Sequence, residues 1–129
     1  TSKYGPGELK NSFCTPRGKH IIRAKIGAEQ ELGTIFKSRR SIGEVFSDKI
    51  HRFDEGDWIL TRILWLSGIE KGINRLGNID TMQRFIYIHG TPDETVLGVP
   101  SSKGCINMRN EDIIKIFETV DVGTLVNIE

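Results

Sequence analysis

Cysteine is scarce in this sequence. Only Cys14 and Cys105 occur among 129 residues, too few for a disulfide framework. Pairing them would consume the one thiol that the chemistry below calls for. Long apolar runs are also missing: none approaches the ~20 residues that span a bilayer, and no segment reads as a secretory signal. Neither sign of charge dominates. Eighteen basic against 17 acidic residues leave a net charge of +1, which gives no support to a broad nucleic-acid or membrane-surface patch. The short Lys37-Ser38-Arg39-Arg40 cluster reads as a solvated loop. His20, His51, His89, Cys14 and Cys105 show no CxxC or HxxxH ligand spacing, so neither a metal nor another cofactor is expected. There is no internal repeat, no low-complexity tract and no long linker. Residues 1–129 are therefore expected to form one domain. The chain opens on Thr1 rather than methionine, which reads as a processed or trimmed product.

What is present is the composition of a globular protein able to bury a core, 37% hydrophobic and 27% charged. Fourteen glycines fall between short β-branched runs, the rhythm of strands and turns. Tyr4-Gly5-Pro6-Gly7 and Thr15-Pro16-Arg17-Gly18 are turn chemistry. The second leads into a predicted strand from His20 to Gly27, and residues 28–57 read as a long irregular excursion. Trp58 to Leu66 is β-rich and nearly all apolar, as befits a strand buried on both faces. Lys71 to Asp80, with two glycines and two asparagines, reads as a loop. Arg84 to His89 predicts the next strand. Asn110 is a predicted N-cap, followed by Glu111 and Asp112 where the helix dipole favours acids. Ile113, Ile116, Phe117 and Val120 then recur at helical spacing. Gly123 ends that helix, and Leu125 to Ile128 reads as a closing strand. The expected fold is mostly β, with one packed helix in the C-terminal half.

The chemistry-bearing residues concentrate in His89-Gly90-Thr91 and, farther on, Ser101-Ser102-Lys103-Gly104-Cys105-Ile106-Asn107. A thiol attacks a carbonyl as its thiolate, which is scarce near neutral pH. An imidazole can take that proton and later return it to a leaving amine. A strand end holds such an imidazole better than a free loop. Gly104 lets the backbone approach a ligand closely, so the amides of Gly104 and Cys105 could face a developing oxyanion. Taken singly, a lone cysteine is commonly a buried hydrophobe and a strand-end histidine a hydrogen-bonded surface residue, so neither alone assigns a function. Tyr87, Trp65 and Phe85 could form a ligand-stacking stripe, but their strand context favours core packing. His20 and His51 read as ordinary strand and loop residues.

The arrangement resembles the L,D-transpeptidase catalytic domain family. Members carry His-Gly at a strand end, then a loop, then Ser/Thr-His-Gly-Cys, an aliphatic residue, and Asn or Arg. His89-Gly90 and Ser102-Lys103-Gly104-Cys105-Ile106-Asn107 match that pattern. Leu97-Gly98, Met108-Arg109-Asn110-Glu111-Asp112-Ile113, Val122-Gly123-Thr124 and the Thr15-Pro16-Arg17-Gly18 turn match its surroundings, so the likeness runs from about Thr1 to Glu129. Lys103 stands where most members have His, and its ammonium is expected to favour the Cys105 thiolate. The family's leading strand pair is represented here by at most its tail, consistent with a trimmed chain.

The resemblance implies a β-sandwich-like domain acting on peptidoglycan stem peptides in the periplasm or cell wall. It implies Cys105 as nucleophile, His89 as general base and then acid, and the Gly90 carbonyl as the group orienting the imidazole. Ser102, Gly104 and Arg109 would shape the acyl pocket. Arg109 could pair with a substrate carboxylate or with the following helix. Hydrolysis of the same acyl-enzyme, and a catalytically silent binding module, are the alternatives.

Overall fold

The nearly all-apolar run becomes the central strand of the sheet. The computed structural model describes residues 1–51, 57–92 and 97–129. Strand β4 (Ile59–Gly68) pairs antiparallel with β1 (Gly18–Ile26), with β2 (Thr34–Lys37) and with β5 (Tyr87–Gly90). Ile63 is matched to Ile26 and to His89, and Leu60 to Ile35 and to Gly90. Strands β1 and β2 thus occupy successive parts of one edge of β4, and β5 takes the other. Outside these lie β7 (Leu125–Ile128) against β1, β3 (Arg40–Val45) against β2, and β6 (Ile106–Met108) parallel to β5. The expected mostly β domain takes the form of one continuous seven-stranded sheet.

Both faces of β4 are buried, as its composition requires. On one face Ile22, Leu64, Leu66 and Ile86 pack with Ile113 and Phe117 of helix α2 (Asn110–Thr119). On the other, Ile63 packs with Phe36 and Tyr87. The helical spacing in α2 buries Ile113 and Phe117 deeply and Val120 in part, while Ile116 stays exposed.

Three expectations are corrected, and one strand was not foreseen. Residues 28–57 are not an irregular excursion: they carry the β2–β3 hairpin and a one-turn helix, α1 (Asp48–His51), while residues 52–56 lie outside the described residues. Arg84 to Ile86 do not join the strand ending at His89. The chain turns from Thr81 to Phe85, where Phe85 has φ 57°, and β5 begins only at Tyr87. Strand β6 was not foreseen, since a three-residue run carries no periodicity. Asn110 is the first helical residue rather than the cap, a position held by Arg109 in extended conformation. The Asn110 side chain faces β4 and the end of β5 instead: Thr61 Oγ1 donates to its Oδ1 at 2.6 Å, and its Nδ2 donates to the Thr91 carbonyl at 3.2 Å.

The β4–β5 ladder is interrupted where these contacts fall. Leu60 faces Gly90 and Ile63 faces His89, so Thr61 and Arg62 form a bulge, with Thr61 at φ 75°. Bulges re-aim side chains and commonly lie beside functional sites. Here the bulge turns the Thr61 hydroxyl toward Asn110. Gly90 fits because it has no side chain: a Cβ there would lie 2.2 Å from Asn110 Oδ1 and 2.8 Å from the Leu60 carbonyl.

Candidate active site

Side chains alternate across a strand, so a parallel pair in register presents matching residues on one face. Strands β5 and β6 pair Ile88 with Ile106 and His89 with Asn107. Ile88, Ile106 and Met108 pack against the core beneath α2. Tyr87, His89, Cys105 and Asn107 face the other way and line a cavity of about 420 Å³. The rest of its described wall comes from the β2–β3 turn (Ser38, Arg39), Asp57, Ile59 and Phe85, together with Ser102 and Lys103. Two residues sixteen apart in the sequence thus share one cavity because their strands pair.

His89 is buried, and its Nδ1 lies 2.7 Å from the Gly90 carbonyl oxygen. A carbonyl only accepts, so Nδ1 carries the hydrogen and Nε2 keeps its lone pair. Burial holds the imidazole below its ordinary pKa, with the Gly90 carbonyl and the Asp57 carboxylate acting in the opposite sense. The ring is therefore neutral near pH 7, the state a general base needs.

Cys105 is half-buried. Its thiol donates to the Phe85 carbonyl at 3.5 Å, and the Tyr87 amide donates to its sulfur at 3.4 Å. Burial pushes the thiol pKa up to about 11; the Tyr87 N–H partly offsets this and the Asp57 carboxylate adds to it. The thiol thus lies above its ordinary pKa, the direction opposite to the one expected from Lys103. Lys103 is exposed although it lines the cavity, and burial of the sulfur is the leading influence. At rest the cavity holds a neutral thiol and a neutral imidazole.

The loop before Cys105 is held from behind. The Thr15 hydroxyl donates to the Gly104 carbonyl at 2.9 Å, and Ser102 Oγ donates to the Cys105 carbonyl at 2.6 Å. Gly104 has φ +127°, and a Cβ there would lie 2.9 Å from Ile86 Cδ1, so this turn selects glycine. Arg84 fastens the N-terminal segment to the same region, donating to the carbonyls of Gly7, Glu8 and Cys14. This gives the Thr15-Pro16-Arg17-Gly18 segment, which forms no turn but bridges to Pro6 and runs into β1, a place at the site: Thr15 buttresses the Cys105 loop.

Two further expectations change. The Gly104 amide, expected to face an oxyanion, donates to Ser102 Oγ at 3.2 Å; Ser102 is a brace inside the loop as well as a lining residue. Arg109 is exposed at the start of α2 and does not line the described cavity; among the described residues it makes no ion pair. Sequence reasoning missed Arg39 and Asp57 as cavity residues. It also placed Phe85 and Tyr87 in the core. Tyr87 is buried, yet it lines the cavity, and Phe85 is 51% exposed there. The remaining histidines are structural. His20 is fully buried between the Gly18 carbonyl and the Thr81 hydroxyl. His51 stacks on Phe46 and takes the Ser47 amide on Nδ1.

The family model for the L,D-transpeptidase catalytic domain matches residues 3–128 of this chain. The protein named "Probable L,D-transpeptidase ErfK/SrfK" of Escherichia coli (strain K12) is 47% identical over 45 residues, 35% of this chain and 14% of that protein. "Probable L,D-transpeptidase YbiS" of the same strain is 49% identical over 43 residues, 33% of this chain and 14% of that one. These stretches span only a small part of either relative. A solved structure, "L,D-transpeptidase from Mycobacterium smegmatis", aligns over 95% of this chain and 46% of its own, at 20% identity and a TM-score of 0.45.

Proposed function

From the premise that this chain belongs to the L,D-transpeptidase catalytic domain family, we propose that residues 1–129 form one domain acting as a cysteine transpeptidase on peptidoglycan stem peptides. The observation that carries this reading is the shared cavity: a thiol and an imidazole lie on one face of paired strands, with the imidazole tautomer set by Gly90. His89 Nε2 takes the Cys105 proton as sulfur bonds to the carbonyl carbon of the third stem residue. The tetrahedral oxyanion is met by the Cys105 amide, since the Gly104 amide is committed to Ser102. The carbon–nitrogen bond to the terminal D-alanine then breaks, and the His89 imidazolium protonates the leaving amine. An amine acceptor attacks the resulting thioester, passes its proton to His89, and the thiol is restored. No cofactor or metal enters this cycle.

A neutral resting pair suits this sequence of steps. Burial disfavours a standing thiolate–imidazolium pair, so proton transfer accompanies attack rather than preceding it. The reading places the protein's work in the periplasm or cell wall, in wall biogenesis and cell shape. Among the described residues no helix is long and apolar enough to cross a membrane. The test is product analysis with a stem tetrapeptide, with and without an amine-bearing acceptor peptide. Released D-alanine together with a cross-linked product is expected. Release with only hydrolysed tripeptide would assign an L,D-carboxypeptidase, and intact substrate would leave a silent binding module.

A further inference from the structure

The β2–β3 hairpin turns through two residues, Ser38 and Arg39, both at positive φ (48° and 64°), between the paired Lys37 and Arg40. Turns of this kind favour asparagine and glycine. A serine and an arginine here bear backbone strain, which persists only where surrounding contacts hold it. The contacts are all on Arg39. Its guanidinium lies 4.8 Å from the centre of the Phe85 ring and 5.0 Å from that of Trp65, and Nη1 donates to the Tyr87 hydroxyl at 2.9 Å. Trp65 in turn stands edge-on to Tyr87. Two of these residues also touch the thiol, Tyr87 through its amide and Phe85 through its carbonyl. The strained turn therefore reaches over the aromatic wall and fixes a cation in the cavity that Cys105 lines.

A guanidinium has five N–H donors in a planar fork. One is used on Tyr87, and among the described residues Arg39 is paired with no carboxylate. The ring faces stabilise its charge without satisfying those donors. Such a fork matches a carboxylate. A stem-peptide donor presents carboxylates close to the scissile bond. Its terminal one lies three bonds from the carbonyl carbon under attack, and a diaminopimelate third residue carries another on its side chain.

We propose that Arg39 is the carboxylate anchor for the acyl-donor peptide in the Cys105 cavity, a specificity-determining residue held in place by Tyr87, Trp65 and Phe85. This rests on the transpeptidase reading above and adds to it which group of the donor is recognised and by which residue.

The test compares wild type, Arg39→Lys and Arg39→Gln on three diaminopimelate tetrapeptides: one with all carboxylates free, one amidated at the C-terminus, one amidated on the third-residue side chain. The readout is kcat/KM for acylation of Cys105, with iodoacetamide labelling of Cys105 as a check on the nucleophile. A charge-assisted hydrogen bond of this type is worth about 10- to 100-fold. Wild type should lose that factor on one of the two amides. Arg39→Gln should lose it on the free acid and be indifferent to that same amidation, with Arg39→Lys in between. Loss on the C-terminal amide assigns the leaving group's carboxylate; loss on the other assigns the side-chain carboxylate. Equal losses by Arg39→Gln on all three peptides would overturn the proposal and leave Arg39 a packing residue, as would a wild type indifferent to both amidations. A wild type that labels with iodoacetamide but is acylated by none of the peptides would overturn the transpeptidase reading, and this one with it.

Discussion

Removing the His89 imidazole should expose the intrinsic reluctance of the Cys105 thiol to ionise. With a pKa raised from 9.0 to about 11, the thiol at pH 7 is about one part in 10⁴ thiolate, against about one in 10² for the unshifted group. In His89→Gln, alkylation of Cys105 by iodoacetamide at pH 7 should therefore run about 100-fold slower than for an ordinary thiol. It should climb about tenfold per pH unit toward 11. Glutamine still offers an N–H to the Gly90 carbonyl, so the strand end should remain intact. In wild type the imidazole takes the proton as the new bond forms, and the rate at pH 7 should exceed that of the variant by about 10² or more. That advantage should persist below pH 6.5 and fade only as His89, whose pKa burial lowers, becomes protonated. The assay is mass spectrometry of the Cys105 peptide over pH 5–11, which also separates its label from any on Cys14. Equal wild-type and variant rates at pH 7, or a variant profile that levels off near pH 9 or below, would refute this reasoning.

Further outcomes follow from the packing around the strand end. Gly90→Ala should lower stability by about 1–3 kcal/mol, because its Cβ meets Asn110 and the fixed Leu60 carbonyl; thermal unfolding would show a Tm lower by several degrees. Asn110→Ala removes the partner of the Thr61 hydroxyl and of the Thr91 carbonyl. It should cost about 1–3 kcal/mol in urea unfolding and slow Cys105 alkylation at pH 7. Both His20 and His89 have depressed pKa values caused mainly by burial. A depressed folded pKa means the unfolded chain binds protons first, so stability is full above about pH 6.5 and falls with pH below it. Urea midpoints measured from pH 8 to 5 should decline, and His20→Gln should flatten that decline.

The motif, the central strand, the closing strand and the helix were legible because each leaves a local trace. Cys105 and His89 announced themselves by resemblance, β4 by an unbroken apolar run, and α2 by its recurring Ile113 and Phe117. The β2–β3 hairpin was not legible because all six residues of β3 are exposed and no alternation marks it. That hid Arg39 as well: a cation in a polar cluster reads as solvated, and only the fold shows it lying over Phe85 and Trp65. Phe85 misled for a related reason, since its positive φ keeps the chain in a turn and delays the expected strand until Tyr87. Asn110 carried the residue type of a cap, but a bulge in β4, itself unreadable from sequence, claims its side chain. Lys103 lies two residues before Cys105 in the chain, and that proximity suggested an electrostatic role. Burial of the sulfur, which no local pattern reports, decides the thiol's pKa instead.

The central claim is that Cys105 becomes acylated by the stem peptide. Intact-mass spectrometry of the protein mixed with a disaccharide-tetrapeptide tests this most directly. The account predicts one thioester adduct, carried by the peptide containing Gly104-Cys105-Ile106, with D-alanine released in equal amount and neither seen in Cys105→Ala. An adduct on Cys14, or D-alanine release that survives in Cys105→Ala, would contradict it.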